Sequence, residues 1–377
     1  MVLYLILNNF HHSIYEHMFL LYNRKKYRWG DEKMGKQLAS LVEQSTVPGM
    51  SLAIIEKYNL QSTECFGIAE AGTNQHVKPD TLFSACSISK FVTAMLVMKL
   101  AGRGILDLDE DVNRKLVSWK VPESPLTKTN KVTLRKLLSH QAGIKDPEES
   151  FGPLNEAEGF PLMEDVLIGK TAYCPQPVHI KEKPGGIFHY SDAGYCIIQL
   201  LIEDITEKSF ETIMKEELFE PLHMKNSTYT LTEKEKLSSG HNKVGRLVNE
   251  KYTEYPFPAA AGLWTTPTDL NFLLNEFLLA TAGKSSVVLS HSLAEEMSSP
   301  QGCAPFSGFG LFMDWIEGEK EISSLGWGIG FQSMLVAYPS LGTGAVIMTN
   351  ADLGVHQLKG IIGQVYKRLL PPLTKRY

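Results

Sequence analysis

A serine and a lysine three residues apart, Ser87 and Lys90, have the types and spacing that nucleophilic catalysis needs. Apolar residues recur at helical spacing from Phe91 onwards, which predicts a helix from about Ser87 to near Gly102 with one apolar face. Side chains three residues apart lie on the same face of a helix, so the hydroxyl and the amine can touch. A lysine accepts a serine proton only when it is neutral, which burial or a neighbouring cation makes possible. The pair is therefore a candidate nucleophile and base that needs no histidine.

The Ser-x-x-Lys pattern alone is weak evidence, because about one or two matches arise by chance in a chain of this length. It occurs once here. The alternative is a serine that caps a helix N-terminus, followed by a solvated lysine.

A second candidate group follows a glycine-containing loop, where Tyr190 and Asp192 stand just before a predicted helix. A tyrosine held near a protonated lysine loses its proton more readily and can move a proton toward a serine or a leaving group. The alternative is a packed tyrosine with Asp192 as the helix cap. His140 and His189 suggest a Ser-His-Asp triad, but the chain has no Gly-x-Ser-x-Gly elbow. We interpret His140 as a loop or capping residue and His189 as packed or partly exposed.

With these motifs in view, the sequence resembles the superfamily of serine β-lactamases and penicillin-binding proteins, in particular its class C β-lactamase, esterase and D-aminopeptidase branch. Ser87-x-x-Lys90 is similar to the first motif of that superfamily, and Tyr190-Ser191-Asp192 to its Tyr-x-Asn motif. Five framing stretches in the expected order extend the resemblance: Pro48-Gly49, Gly104–Asp109, Leu137–Gly143, Pro221–Met224 and Ala261–Thr266.

The resemblance implies an α+β fold of the β-lactamase/transpeptidase type, in which helices flank an antiparallel sheet and a mostly helical region is inserted. It also implies an oxyanion hole formed by the backbone N–H groups of Ser87 and Trp327, with Ser324 and Gly326 as substrate-binding residues. Removing one oxyanion donor typically costs about 100- to 1,000-fold in rate. The family chemistry requires no cofactor and no metal.

Two residues depart from the family pattern. Asp192 stands where asparagine is usual, and its charge would hold Lys90 protonated, which favours Tyr190 as the proton acceptor or weakens activity. Ser324-Leu325-Gly326 replaces the usual Lys-Thr-Gly or His-x-Gly, so the cation that binds a substrate carboxylate is missing. Lys320 has the wrong spacing to replace it. We therefore expect weak recognition of β-lactams and of peptide C-terminal carboxylates.

The composition limits which classes of partner and which cellular compartment we expect for the protein. Lys+Arg 37 against Asp+Glu 42 gives a net charge of -5, and no basic patch indicates nucleic acid. The 5 cysteines lie far apart, which predicts reduced thiols and no zinc site. The apolar run Val2–Leu7 is too short for a signal peptide or a membrane span. We expect a cytoplasmic protein whose partner is a small molecule or a short peptide, with no membrane span.

The order of the predicted elements suggests how the 377 residues are organised. Residues 1–33 are predicted to be an extension, 34–84 with 260–377 an α/β lobe, and 85–259 a helical lobe, with the active site between the lobes. The segments that define this division are a helix over Met34–Ser45, a hairpin of Ser51–Glu56 with Glu64–Ile68, helices over Thr133–Leu138, Gly194–Ile205, Phe210–Phe219 and Thr268–Leu279, strands over Gln332–Tyr338 and Gly344–Asn350, and a final helix over Val355–Leu369.

These observations lead to two hypotheses. The first is a serine hydrolase that forms an acyl-enzyme on Ser87 and acts on esters, amides or small peptides rather than on β-lactams. The second is a catalytically weakened scaffold or ligand-binding relative, which the replacements at Asp192 and Ser324 motivate.

Overall fold

The computed structural model describes residues 32–61, 63–249 and 251–369. The predicted extension 1–33 lies almost wholly outside the described residues, and so does the apolar run Val2–Leu7. In the part of the chain that the structure describes, no helix is both long and apolar enough to cross a bilayer.

Seven strands of the described residues form one antiparallel sheet, and two short strands pair separately. The strands are β1 (Gly49–Glu56), β2 (Asn59–Leu60), β3 (Glu64–Gly67), β4 (Phe83–Ser84), β5 (Trp264–Thr265), β6 (Phe312–Ile316), β7 (Glu319–Gly328), β8 (Phe331–Tyr338) and β9 (Thr343–Thr349). The order across the large sheet is β2-β1-β9-β8-β7-β6, and β3 also pairs with β1. β4 pairs with β5 outside it.

The sheet joins the two ends of the chain. β1 pairs with β3 as the predicted hairpin, and β1 also pairs with β9 from Met50 opposite Thr349 to Ile55 opposite Gly344. Both neighbours of β1 run antiparallel to it, so its backbone groups are satisfied on either side. An antiparallel sheet built from both ends of the chain, with helices between β3 and β6, confirms the predicted α+β architecture.

The helices flank the sheet and fill the insertion. They are α1 (Glu32–Glu43), α2 (Ser89–Gly102), α3 (Pro125–Thr129), α4 (Leu134–Leu138), α5 (Met163–Leu167), α6 (Asp192–Thr206), α7 (Phe210–Met214), α8 (Pro267–Thr281), α9 (His291–Met297) and α10 (Ile361–Leu369). The Thr133 hydroxyl accepts a hydrogen bond from the Lys136 N–H and caps α4, as its position predicts.

Helix α2 is buried on every side, although the sequence predicts one apolar face. Every residue from Ser89 to Leu100 is buried. A helix that is apolar all round belongs in the interior of a protein. Each large side chain buried there contributes about 1.5 to 3 kcal/mol. This burial holds the residues at the start of α2 in a fixed position.

Two hydrophobic cores cover the two faces of the sheet. The larger core contains α2, the inserted helices and sheet residues such as Ile322 and Val346. The smaller one packs α1 and α10 against the opposite face, with Leu38 and Ile347 among its members.

Some predicted bounds were wrong. The final helix begins at Ile361 rather than Val355, after a short 3-10 turn at Gln357–Lys359. The predicted helix Phe210–Phe219 is α7 followed by a π turn at Lys215–Phe219. β6 was not predicted, because its exposed and buried residues do not alternate clearly at the edge of the sheet.

Candidate active site

Ser87 lies at an exposed point of an otherwise buried segment. It is the one partly exposed residue between Thr81 and Leu100. It occupies a 3-10 turn, Cys86–Ile88, that runs into α2, so the α-helix begins two residues later than predicted. Its hydroxyl caps neither the turn nor the helix, which rules out the capping interpretation of Ser87. The hydroxyl is thus accessible and anchored by a buried helix.

Strained backbone precedes this serine. Cys86 has a φ of 48°, a left-handed conformation that is uncommon for a residue with a side chain. The segment is held by the β4–β5 pair, by the hydrogen bond from the Ala85 N–H to the Leu263 carbonyl, and by Ser89 Oγ, which accepts from the Leu263 N–H. These contacts over-determine the turn and fix the direction of the Ser87 side chain.

Lys90 reaches Ser87 from within the core. Its side chain is 2% exposed, and Nζ lies 3.3 Å from Ser87 Oγ and 2.8 Å from the Ala260 carbonyl oxygen. Nζ also lies 2.6 Å from Asp192 Oδ1. Burial alone would lower the Lys90 pKa, but the charge of Asp192 and the phenol of Tyr190 outweigh it and raise the pKa above its ordinary value. Lys90 is therefore an ammonium at neutral pH, as the charge of Asp192 predicts, and not the neutral amine that a base requires.

Tyr190 completes the group. Its ring centroid lies 4.8 Å from Lys90 Nζ, and the side chains of Ser87 and Lys90 are close enough to its phenol to act on its pKa. Burial raises the Tyr190 pKa above its ordinary value, and the nearby Lys90 charge offsets this only in part. The expected effect of the lysine is present, but it does not make the resting phenol more acidic overall.

The His140 ring packs against the Tyr190 ring. The two rings stack at 4.3 Å between centroids, and His140 Nδ1 accepts the Ser191 N–H at 3.1 Å. Burial lowers the His140 pKa well below its ordinary value, so the imidazole stays neutral. His140 thus hydrogen-bonds with Ser191, the residue that caps α6. Among the described residues, it has no hydrogen bond with Ser87.

Asp146 belongs to the site but was not identified from the sequence. Its carboxylate accepts hydrogen bonds from the Ser191 hydroxyl at 2.6 Å and from the N–H groups of Asp192 and Ala193 at 2.8 and 3.2 Å. Burial and the charge of Asp192 raise the Asp146 pKa to about 6. No local motif marks this aspartate, since its partners lie 45 or more residues further along the chain.

The N-terminus of α6 corrects another prediction. Ser191, rather than Asp192, is the cap, and its hydroxyl accepts the Gly194 N–H. Asp192 is the first residue of the helix. Its side chain is thus free of a capping role and turns to Lys90.

The segment of β7 that begins with Ser324-Leu325-Gly326 lies at an open edge of the sheet. β6 pairs with β7 only as far as Phe312 opposite Ser323, so β7 continues from Ser324 to Gly328 with one side that no strand of the described residues pairs. The Asn350 N–H donates to the Gly49 carbonyl, so these two residues form a hydrogen-bonded pair. Hydrogen-bonded and non-hydrogen-bonded pairs alternate along antiparallel strands, so this one pair assigns every other pair of β1, β9, β8 and β7. By this assignment the N–H and C=O of Trp327 point away from β8 and toward the open edge.

Glycine at 326 lets this edge approach the serine turn. A Cβ at Gly326 would lie 2.2 Å from the Ala85 carbonyl oxygen and 2.2 Å from Ser333 Oγ. The Trp327 indole N–H is bound by Asp352 at 2.8 Å. β7 and the residues before Ser87 therefore pack backbone to backbone.

Lys320 does not supply the cation that Ser324 lacks. Ser324 is buried, with 4% of its surface exposed. Lys320 Nζ donates to the Ser298 carbonyl at 3.1 Å, which holds it at the end of α9.

A cavity of about 450 Å³ lies elsewhere, lined by Leu82 and by residues between Glu211 and Leu237. None of Ser87, Lys90 and Tyr190 lines it. The residues that converge on Ser87 therefore lie outside this cavity.

Two curated proteins are similar to the chain in sequence. The chain is 23% identical over 334 residues to Protein flp of Staphylococcus aureus (strain N315), covering 85% of this chain and 63% of the relative. It is 26% identical over 239 residues to the Unguisins hydrolase ungD' of Aspergillus campestris, covering 60% of this chain and 42% of the relative. The chain thus spans less than two thirds of the length of either curated relative.

Solved structures share the architecture. The D-amino acid amidase from Ochrobactrum anthropi SV3, complexed with L-phenylalanine amide, has a TM-score of 0.72 at 21% identity and covers 89% of this chain and 97% of its own. The octameric penicillin-binding protein homologue from Pyrococcus abyssi has a TM-score of 0.69 at 22% identity, with 91% of this chain and 78% of its own covered. At these identities the likeness shows the fold, which is the predicted β-lactamase/transpeptidase type. The family model described as Beta-lactamase matches residues 35–360, and the chain belongs to the Beta-lactamase family.

Proposed function

We propose that the protein is a serine hydrolase that forms an acyl-enzyme on Ser87. The observation that carries this proposal is the convergence of Lys90 and Tyr190 on one accessible hydroxyl. Nucleophilic catalysis requires such a hydroxyl within hydrogen-bond reach of a group that takes its proton.

The proposed reaction has two halves. Ser87 Oγ attacks the substrate carbonyl while its proton passes to the Lys90–Tyr190 pair, and the pair returns a proton to the leaving oxygen or nitrogen. The backbone N–H groups of Ser87 and Trp327 stabilise the oxyanion. Water then attacks the acyl-enzyme with the same pair as base, which restores the serine.

The working form of the pair carries one proton less than the resting form. At neutral pH Lys90 is an ammonium beside Asp192 and Tyr190 is a phenol, so neither is a base. Loss of one proton from the coupled pair creates the base, and the site of loss belongs to the pair as a whole. Activity therefore rises toward alkaline pH.

The substrate lies along the open edge of β7. Backbone N–H and C=O groups there can add a strand-like segment of an ester, amide or short peptide. In the predicted lobe division, Ser87, Lys90, Tyr190 and Asp192 come from the helical lobe and Trp327 from the α/β lobe, so the site lies between the two. A substrate carboxylate finds no cation at Ser324. We therefore propose esterase, amidase or peptidase activity before β-lactamase activity.

The test is covalent labelling. Wild-type protein incubated with a fluorophosphonate should gain the mass of one adduct, while Ser87→Ala gains none. Ser285→Ala, which removes an exposed serine outside the site, should label like wild type. Folded wild type without an adduct, or an equal adduct on Ser87→Ala, would contradict the proposal.

A second candidate function is a ligand-binding relative with weakened turnover. The Lys90–Asp192 ion pair favours it, because it holds the amine in its inactive protonation state. Short activated esters discriminate between the two functions: equal rates for wild type and Ser87→Ala support the binding protein, and a loss in Ser87→Ala supports the hydrolase.

A further inference from the structure

We propose that the site accepts an uncharged aromatic or bulky apolar leaving group, which packs against a wall formed by Phe188, Phe306 and Phe312. This inference rests on the proposed acyl transfer at Ser87 and adds to it the chemical class of the substrate.

The wall continues directly from the phenol of the site. The Phe312 ring stacks with the Tyr190 ring at 6.5 Å and 28°. Phe188 lies 6.4 Å from Phe312 and meets Phe306 edge to face at 5.1 Å. All four side chains are partly exposed. Part of their aromatic surface is therefore accessible next to Ser87 and Lys90 and is not buried in the core.

The position of the wall identifies the part of the substrate that meets it. In acyl transfer the leaving oxygen or nitrogen takes a proton from the group that received the serine proton. Tyr190 belongs to that group, so the leaving atom must face Tyr190. The atoms beyond the leaving atom then lie against the rings that adjoin Tyr190, with Phe312 nearest.

β6 ends at the same place. Phe312 is its first residue and pairs with Ser323, so the unpaired part of β7 begins just beyond it. A substrate lying on the open edge therefore meets Phe312 at one end.

The charges around the wall disfavour an acidic leaving group. Asp192 already pairs with the Lys90 ammonium at 2.6 Å. Ser324 supplies no positive charge, and Lys320 is bound to Ser298. A carboxylate placed beside the aromatic rings would lose water without gaining a counter-ion. An uncharged ring has no hydrated charge to lose, and it gains apolar contact with the phenylalanine rings.

The experiment compares three acetate esters that share the acyl group and have alcohols of similar acidity: n-butyl acetate, 2-phenylethyl acetate and 2-(4-carboxyphenyl)ethyl acetate. For wild type, we expect kcat/KM for the phenylethyl ester to exceed that for the butyl ester by about tenfold or more. The carboxylated ester should fall back to the butyl value or below it.

The aromatic wall is tested with Phe306→Ala and Phe312→Ala. Each should reduce the phenylethyl-to-butyl ratio of kcat/KM by about fivefold or more. The matched control is Trp315→Ala, which removes a 51% exposed aromatic side chain from the same strand as Phe312 and should keep the wild-type ratio. A ratio measured on one preparation does not depend on how much of a variant is folded.

Each outcome is decisive. A wild-type ratio near one, an unchanged ratio in both phenylalanine variants, or a preference for the carboxylated ester overturns the inference and leaves the hydrolase proposal standing. Wild type that turns over none of the esters and takes up no fluorophosphonate overturns the hydrolase proposal itself, and the inference with it.

Discussion

Lys90 Nζ and Asp192 Oδ1 lie 2.6 Å apart at the base of the site. Asp192 follows the capping residue of α6, so its carboxylate points at Lys90 instead of capping the helix, and the family resemblance implies that asparagine is usual at this position. The pair raises the Lys90 pKa in spite of burial. The ion pair sets the protonation state of Lys90 from which any reaction must start.

Asp192→Asn should move the activity profile to lower pH. Removing the carboxylate charge lowers the Lys90 pKa, so a larger fraction of the Lys90–Tyr190 pair has lost its proton at neutral pH. We expect the midpoint of the alkaline rise in kcat/KM to fall by about one pH unit or more, with higher activity at neutral pH. The measurement is the pH profile with 2-phenylethyl acetate as substrate. A midpoint that stays in place, or activity lost at every pH, would show that Asp192 does not set the state of Lys90.

His140→Asn should lower kcat through Tyr190. Asparagine tolerates the left-handed backbone of His140, whose φ is 59°, but it removes the ring stacked on Tyr190. We expect kcat to fall by about tenfold to a hundredfold with a smaller change in KM, because a misplaced proton donor slows the chemical step. The shape of the pH profile should not change, since the imidazole is neutral in the folded protein.

The control for this variant is His189→Asn. His189 is partly exposed, and it is its backbone N–H that donates to the His140 carbonyl. It should retain the kcat of wild type. Loss in the His140 variant of a pH limb near the ordinary histidine pKa would instead identify His140 as a base.

Gly326→Ala should separate β7 from the serine turn. The new methyl group would meet the Ala85 carbonyl oxygen at 2.2 Å, and this backbone atom can move only together with the turn that carries Ser87. If the Trp327 N–H is withdrawn from the oxyanion, the rate falls by about 100- to 1,000-fold. Gly152→Ala is the matched control, because nothing lies within 4 Å of its added Cβ. Full activity of Gly326→Ala, with folding confirmed by circular dichroism, would mean that this contact does not position the oxyanion hole.

Cys86 should resist alkylation in the folded protein. Burial raises the pKa of its thiol to about 12, and its Sγ is packed against the position that a Cβ at Gly328 would occupy. Iodoacetamide at about pH 8 should therefore modify the exposed Cys303 and leave Cys86 unmodified until the protein unfolds. Peptide mapping distinguishes the two cysteines, and early labelling of Cys86 would contradict its burial in the folded protein.

Much of the fold was predictable because it depends on local patterns. The apolar spacing after Ser87 indicated α2, and the hairpin of β1 with β3 followed from two apolar runs around a polar turn. The α+β architecture followed from the order of such segments and from the family resemblance. β6 was missed because an edge strand carries a weak alternation.

The sequence by itself determined the facing of Ser87 and Lys90, since a spacing of three residues at the start of a helix brings the side chains together in almost any tertiary context. It also identified Asp192 as a departure that would hold Lys90 protonated. What only the tertiary structure decided are the contacts between distant segments: His140 with Ser191 across 51 residues, Lys90 with Ala260 across 170, and Asp146 with the start of α6. These partners leave no periodic trace in the sequence. Burial in the folded chain raises the pKa of Tyr190 and lowers that of His140, which is why the resting charges of these two groups could be assigned only from the structure.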